Sequence, residues 1–107
     1  MAQPIPAHWF QILLSLADRD HHGLAITKDV FERTGHMNLW PGMLYGALRL
    51  MTKQGLVVEV EAPEGFSAGG GRPRFYHLTP AGRRLAASEA RRLSAVVETA
   101  RARKLLT

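Results

Sequence analysis

The sequence predicts a mainly α-helical domain with a small β-hairpin and one long helix at its C-terminal end. Apolar residues recur at helical spacing through the first half of the chain. The period changes at residues 56–61, where β-branched residues are enriched and alternate with acidic ones. After Thr79 and Pro80 the helical period returns and continues nearly to the last residue. These two changes of period define the fold class.

Length and composition limit the kinds of protein that fit. The 107 residues suit one folded domain, and 46% hydrophobic with 21% charged residues is a globular composition. With no cysteine, the chain has no disulfide, thiolate metal site or thiol nucleophile. No apolar run approaches the roughly 20 residues of a membrane span, and no secretory signal pattern is present. We therefore expect a cytoplasmic protein with no membrane partner.

Two helices joined by a turn are predicted at the start of the chain. The first covers residues 7–18, whose apolar side chains at helical spacing are Phe10, Leu13, Leu14 and Ala17. The polar run at residues 18–23 indicates a turn, and His22 is expected to cap the next helix or to lie in that turn. The second helix covers residues 24–33 and ends before Gly35, a usual C-terminal glycine position.

The third helix, predicted at residues 41–54, has two chemically different faces. Pro41 suits a first turn and Gly55 ends the helix. One face is apolar and consists of Leu44, Ala47, Leu48 and Met51.

The opposite face of this helix is small or basic. With Gly42 at zero on a helical projection, Gly46, Arg49 and Lys53 fall within about 40° of it. A glycine in a helix interior costs roughly 1 kcal/mol relative to alanine. Close approach of another surface to the backbone is the usual compensation, so this face is expected to meet a partner.

A hairpin and a long helix complete the chain. Strands are predicted at residues 56–61 and 74–78, joined by a glycine-rich loop at residues 62–73. The last helix is predicted from Pro80 to about residue 106, roughly 40 Å, which is longer than a domain of this size. Its overhanging apolar stripe needs a partner, and a second copy is the simplest one. The residues assigned to that dimer interface are Leu85, Leu93, Val96, Val97, Ala100 and Leu105.

The net charge of +5 is confined to one part of the chain. Residues 1–61 carry five basic and six acidic residues, whereas residues 79–107 carry seven basic and two acidic ones. The positive excess therefore belongs to the last helix, so if the first two-thirds of the chain binds a polyanion, net charge is not the evidence for it.

Three helices, the third with a basic face, followed by a hairpin with arginines, is the order of a winged helix-turn-helix. We assign residues 1–78 to this DNA-binding domain and residues 79–107 to a dimerisation helix. The third helix would enter the major groove of double-stranded DNA, and the hairpin loop would act as the wing. The residues assigned to DNA binding are Lys28, Pro41, Gly42, Met43, Tyr45, Gly46, Arg49, Lys53, Arg72 and Arg74. Tyr45 lies at the edge of the apolar face, where a half-buried aromatic and a phosphate contact are both open readings.

Four segments in order resemble the PadR family of bacterial transcriptional regulators. They are ILLSLAD (12–18), HGLAI (22–26), PGMLYGALRLMTKQGLV (41–57) and RFYHLTPAGRRL (74–85). The resemblance covers about residues 9–106 and is similar to the compact subgroup that ends in a single long helix. It implies a homodimeric winged-helix repressor, released from its operator by a small, often aromatic, molecule. It also implies DNA contacts from Pro41, Gly42, Tyr45, Arg49 and the wing arginines.

The chain departs from that family at the start of the third helix. Trp40 stands where the family has a small capping residue, and Met43 stands where it has threonine. Both departures remove a hydroxyl near the expected phosphate.

Other functions have weaker support in the sequence. The five histidines lack the spacing of a metal site, so neither a metal nor a cofactor is expected. No catalytic set stands out, so no enzyme is expected. Trp9 is a candidate for contacting a small-molecule effector, and the alternative is that it packs the first helix against the partner's long helix. A winged-helix protein-interaction module without specific DNA binding remains the competing hypothesis, motivated by Trp40 and Met43.

Overall fold

The computed structural model describes residues 3–66 and 73–106 of the chain. In these ranges the chain forms four helices and three short strands. In chain order they are α1 (Ala7–Ser15), β1 (His21–His22), α2 (Gly23–Thr34), α3 (Pro41–Lys53), β2 (Val57–Val60), β3 (Phe75–Leu78) and α4 (Pro80–Ala102). The mainly α-helical class with a small hairpin is confirmed.

The first two helices end where local hydrogen bonding changes. The predicted end of α1 at residue 18 is wrong, because the amides of Leu16 and Ala17 bond to carbonyls three residues back, at 3.2 and 3.1 Å, and tighten the last turn. Helix α2 is capped by His22, whose Nδ1 accepts a hydrogen bond from the amide of Ala25 at 3.1 Å. It ends at Gly35, which has a φ of 76°, as predicted.

Strand β1 was not predicted, since residues 18–23 read as a turn. It has two residues, and His21 and His22 pair with Tyr76 and Phe75 of β3. Strand β3 is central in a three-stranded antiparallel sheet of order β1-β3-β2. Two residues are too few to show an alternating pattern, and the partner strand is more than 50 residues away in the sequence.

The junction of β3 and α4 is fixed by Thr79 and Gly82. The Thr79 hydroxyl accepts from the Gly82 amide at 3.0 Å and faces the carbonyl oxygens of Gly55 and Leu56 at 2.6 and 2.9 Å. A Cβ on Gly82 would overlap the carbonyl oxygen of Leu56. The threonine and the glycine therefore hold the start of α4 against the end of α3.

One apolar core joins the helices to the sheet. Its residues include Ile12, Leu13, Leu16, Ile26, Val30, Leu44, Leu48, Met51, Val57, Tyr76 and Leu78. In α1 the buried apolar residues are Ile12 and Leu13, and Leu16 is buried just after the helix, while Leu14 is 37% exposed. The predicted stripe through Leu14 is therefore wrong, because a continuous apolar run does not by itself decide which side faces the core.

Helix α4 extends beyond the rest of the domain. The described residues span 53 × 28 × 24 Å, so the long axis is nearly twice the other two. The helix ends at Ala102, short of the predicted residue 106, because Lys104 adopts a left-handed conformation with φ of 64°. The Leu105 amide then bonds back to the Ala100 carbonyl at 2.9 Å, which closes the last turn.

Candidate nucleic-acid interface

The outer face of α3 is open, basic and backed by the core. Arg49 and Lys53 are exposed, and α3, which the structure describes in full, contains no acidic residue. A Cβ built on Gly42 or Gly46 would meet no described atom within 4 Å. The predicted apolar face is buried, since Leu44, Ala47, Leu48 and Met51 are the buried residues of this helix. The two glycines therefore leave a shallow surface that no described part of the chain covers.

The first turn of α3 offers almost no polar side chain. Trp40 is the N-cap residue, is 67% exposed, and its side chain makes no capping hydrogen bond. Pro41 occupies the first helical position as predicted, and Met43 is 39% exposed. If α3 approaches a partner with its N-terminal end, apolar groups meet the partner first. The cations Arg49 and Lys53 follow one and a half to three turns later along the helix.

Tyr45 is both packed against α2 and partly exposed, so a half-buried aromatic and a phosphate contact both remain open. It is 46% exposed, and its ring and hydroxyl lie directly over the Cα of Gly23, the buried first residue of α2. A Cβ on Gly23 would overlap the Tyr45 hydroxyl and lie 2.9 Å from Cζ. Gly23 is thus a positioning residue that the sequence analysis did not single out, because residues 18–23 are predicted as a turn and the contact with Tyr45 joins two helices.

Lys28 projects from α2 into solvent. Its side chain is 77% exposed and lies 4.0 Å from Glu32 one turn away. An exposed pair at this distance is weak, so the ammonium group is free to approach a phosphate.

Four polar side chains fix α1 against α2. Arg33 donates to Asp29 at 2.9 Å, to the Gln11 side chain at 2.7 Å and to Ser15 at 2.8 Å. Ser15, which is buried, donates to Asp29 at 2.7 Å. Burial alone would raise the pKa of Asp29, but the hydrogen bonds from Ser15 and Arg33 and the charge of Arg33 outweigh it and lower that pKa. Its members lie up to 22 residues apart, so no local pattern in the sequence indicates this network.

The wing is less basic than its arginines suggested. Arg74 is 71% exposed at the side chain and lies 3.5 Å from Glu59 across the hairpin. Arg72 lies outside the described residues. Glu59, Glu61 and Glu64 are all exposed on the same hairpin. Within the described part of the hairpin, Arg74 is therefore the only arginine or lysine, and it is accompanied by three exposed acids.

Three rings connect the wing to the start of α2. The His22 ring lies 5.1 Å from that of Phe66 and 5.3 Å from that of Phe75, and the two phenylalanine rings are 4.9 Å apart. His22 therefore caps α2 and packs against the wing at once. This arrangement sets the position of the wing relative to α2 and, through Gly23, to Tyr45.

The residues assigned to the dimer interface divide into two groups. Leu85 packs against the core of its own chain, as does Trp9 of α1. Val96 and Val97 are 55% and 42% exposed, and Leu105 is 77% exposed. Leu93 and Ala100 are half-buried beside them. The uncovered stripe thus begins near Leu93 and occupies the overhanging end of α4.

Glu89 is a buried acid on α4 that the sequence did not single out. Its carboxylate receives two hydrogen bonds of 2.7 Å from Arg92, and it is 4% exposed. The hydrogen bonds from Arg92 lower the pKa of Glu89 despite its burial, and a backbone hydrogen bond with Ile5 adds to this. Ile5, which precedes α1, packs against the core.

Three of the five histidines form side-chain hydrogen bonds within the chain. His77 and Asp20 are paired at 2.7 Å, and His22 is the helix cap. Within residues 3–66 and 73–106, no group of three or more histidine and acidic side chains could hold a metal ion. None of the helices in these ranges has both the length and the hydropathy to cross a membrane.

Solved structures of PadR family proteins share this fold. A PadR family transcription regulator from Clostridium difficile R20291 superposes with a TM-score of 0.76 at 24% identity, over 90% of this chain and 96% of that one. Bacillus subtilis PadR in complex with operator DNA gives a TM-score of 0.65 at 19% identity, over 77% of this chain and 46% of that one.

Sequence comparison gives the family. The model of the transcriptional regulator PadR-like family matches residues 12–88, and the chain therefore belongs to that family. An uncharacterized 37.1 kDa protein in transposon Tn4556 of Streptomyces fradiae is 42% identical over 79 residues, which is 74% of this chain. The match covers 21% of that relative, so the chain corresponds to about a fifth of its length.

Proposed function

We propose that the chain is a transcriptional repressor that binds operator DNA as a homodimer and is released by a small, possibly aromatic, ligand. The outer face of α3 carries the proposal. It combines Arg49 and Lys53, no acid, and two glycines with no described atom over them. A major groove of about 12 Å accepts one helix, and glycine on its outer face allows close approach of the backbone to base edges.

Each DNA contact has a distinct role in this proposal. Arg49 reads a base edge, whereas Lys53, Lys28 and Arg74 contact phosphates. The Tyr45 hydroxyl lies over Gly23 at the start of α2. A phosphate bound there would contact both this hydroxyl and the N-terminal end of α2. Arg72 is expected to extend the wing contact. The operator-bound structure of Bacillus subtilis PadR supports this assignment as a relative of the same fold.

Dimerisation through α4 follows from its uncovered stripe. Val96, Val97 and Leu105 are exposed on a helix that projects from the domain, with Leu93 and Ala100 beside them. A second copy related by a two-fold axis would cover this stripe and place two α3 helices on one face of DNA. Leu85 is left out of the interface, because it packs within its own chain.

An effector site would lie where α1 meets the partner's α4. Trp9 packs against the core but is only half-buried, so part of its ring remains available to a ligand in the dimer. A groove of about 760 Å³ lies elsewhere, beside the hairpin, where Glu59, Glu61 and Glu64 line it together with Arg74 and apolar residues such as Phe66, and Trp9 is not among its lining residues. Quenching of Trp9 fluorescence in a Trp40→Phe variant by aromatic compounds tests this proposal.

Selection from a random duplex library tests DNA recognition. We expect the protein to enrich a palindromic sequence, because a two-fold dimer reads two related half-sites about one helical turn apart. Failure to enrich any motif, with only weak salt-sensitive binding to all duplexes, would contradict the proposal. That outcome would favour a winged-helix module for protein assembly, for which exposed Trp40 and Met43 are the supporting observation.

A further inference from the structure

The outer face of α3 carries an apolar edge beside its cations. Met43 and Leu50 are seven residues apart, so they lie on the same side of the helix, and they are 39% and 48% exposed. On the projection with Gly42 at zero they fall at about 100° and 80°, next to Gly46 at about 40° and Lys53 at about 20°. The edge therefore borders the open glycine surface and does not face the core.

The side chains near Met43 offer a base little to hydrogen-bond with, and the uncapped first turn adds only the backbone amides of Gly42 and Met43. Trp40 has only its indole N–H, Pro41 has no amide hydrogen, and Gly42 has no side chain. The Met43 side chain is therefore the first group on the outer face of α3 that a base edge would meet, and its contact is apolar. The group that a major groove offers to such a side chain is the 5-methyl of thymine.

We propose that Met43 reads a thymine methyl group in the operator, so that this chain selects a thymine at the position facing the start of α3, while Leu50 lies two turns further along the same edge. The inference rests on the proposed function, because it assumes that α3 enters the major groove. Arg49 and Lys53 on the same face, with no acid on the helix, make DNA the occupant with matching charge.

Replacing thymine by deoxyuridine isolates the contact, because it removes one methyl group and keeps every hydrogen-bonding atom. The probe is the duplex selected from a random library by the wild-type protein, with each thymine replaced in turn. We expect at least one replacement per half-site to weaken binding by the wild type about fourfold, the effect of burying one methyl group. Met43→Leu, which keeps an apolar side chain, should show the same loss. Met43→Gln, of similar length but polar, should show none at that position.

The possible outcomes separate this inference from the proposed function. If the wild type enriches no duplex, the proposed function fails. If it enriches a duplex but no thymine replacement weakens binding, or if Met43→Gln keeps the same sensitivity, only the role of Met43 is overturned, and the apolar edge then faces something other than DNA. Should Met43→Gln bind too weakly to scan, a second selection with that variant decides. We expect loss of thymine at that position, and its continued enrichment would overturn the inference.

Discussion

Tyr45 of α3 lies directly over Gly23 of α2, so the position of the candidate recognition helix depends on the absence of a side chain at the start of its neighbour. The next residue towards the N-terminus, His22, caps α2 and packs against Phe66 and Phe75 of the wing. The two parts of the molecule proposed to contact DNA, α3 and the wing, are therefore held to the same helix start.

A methyl group at Gly23 should disturb this contact. Gly23→Ala would place a Cβ against the Tyr45 hydroxyl and ring, so we expect a loss of about 1–2 kcal/mol in the free energy of unfolding. In a Tyr45→Ala background the same change should be neutral or slightly stabilising, because alanine is the better helix former. Urea denaturation of the four proteins measures the coupling. Equal losses in both backgrounds would show that Tyr45 is not the cause.

The uncapped start of α3 should be improvable. Trp40 has the extended backbone of an N-cap residue but supplies no acceptor to the first turn. Trp40→Ser should therefore be more stable than Trp40→Ala by about 1 kcal/mol, and the alanine variant controls for the loss of the ring. Thermal denaturation of the two variants checks this. Identical melting temperatures would mean that the hydroxyl does not cap the helix. An N-cap residue that does not stabilise its own helix is typical of a functional surface.

Glu89 should make the protein sensitive to acid. Its pKa is lowered in the folded state, mainly by hydrogen bonds from Arg92, so its contribution is present above the unfolded pKa and is lost as the pH falls through the folded one. We expect the melting temperature of the wild type to fall more steeply below about pH 5 than that of Glu89→Gln. Glu98→Gln is the matched control, because Glu98 is 67% exposed on the same helix. A Glu89→Gln profile parallel to the wild type would contradict this role.

A charge in the uncovered stripe of α4 should prevent dimerisation. Val97 is 42% exposed and is proposed to face its counterpart in a second copy. Light scattering should give about 24 kDa for the wild type, twice the 11.9 kDa of one chain, and about half of that for Val97→Glu. Arg91→Glu, on the opposite side of α4, is expected to remain dimeric. A wild-type mass of one chain at micromolar concentration would refute the dimer.

Much of the fold could be predicted because its signals are local. Helix ends are marked by proline, threonine and glycine, at Pro41, Thr79, Gly35 and Gly55. The order of the elements follows from changes in the spacing of apolar residues. Strand β1 could not be predicted, because two residues carry no period and pair with a distant strand. The end of α4 could not be predicted, because the residue that adopts the left-handed conformation there is Lys104 and not a glycine.

The site was predicted unevenly for the same reason. The two faces of α3 follow from helical geometry, and the structure has Arg49 and Lys53 where the projection put them. The contact of Tyr45 with Gly23 and the network around Arg33 join different helices, so only the packed structure reveals them. Leu85 packs in part against the core of its own chain, and a continuous apolar stripe does not tell where a helix leaves that core.

Recognition of DNA by Arg49 is tested most directly by fluorescence anisotropy titration of the selected duplex and a scrambled one. We expect Arg49→Ala to lose most of the preference for the selected duplex, at least about fivefold, the effect of losing one base contact. Lys53→Ala should weaken binding to both duplexes and reduce the slope of log affinity against log salt by about one. Arg91→Ala, on the outer face of α4, should behave as the wild type. If Arg49→Ala keeps the wild-type preference for the selected duplex, α3 does not read DNA in the way proposed.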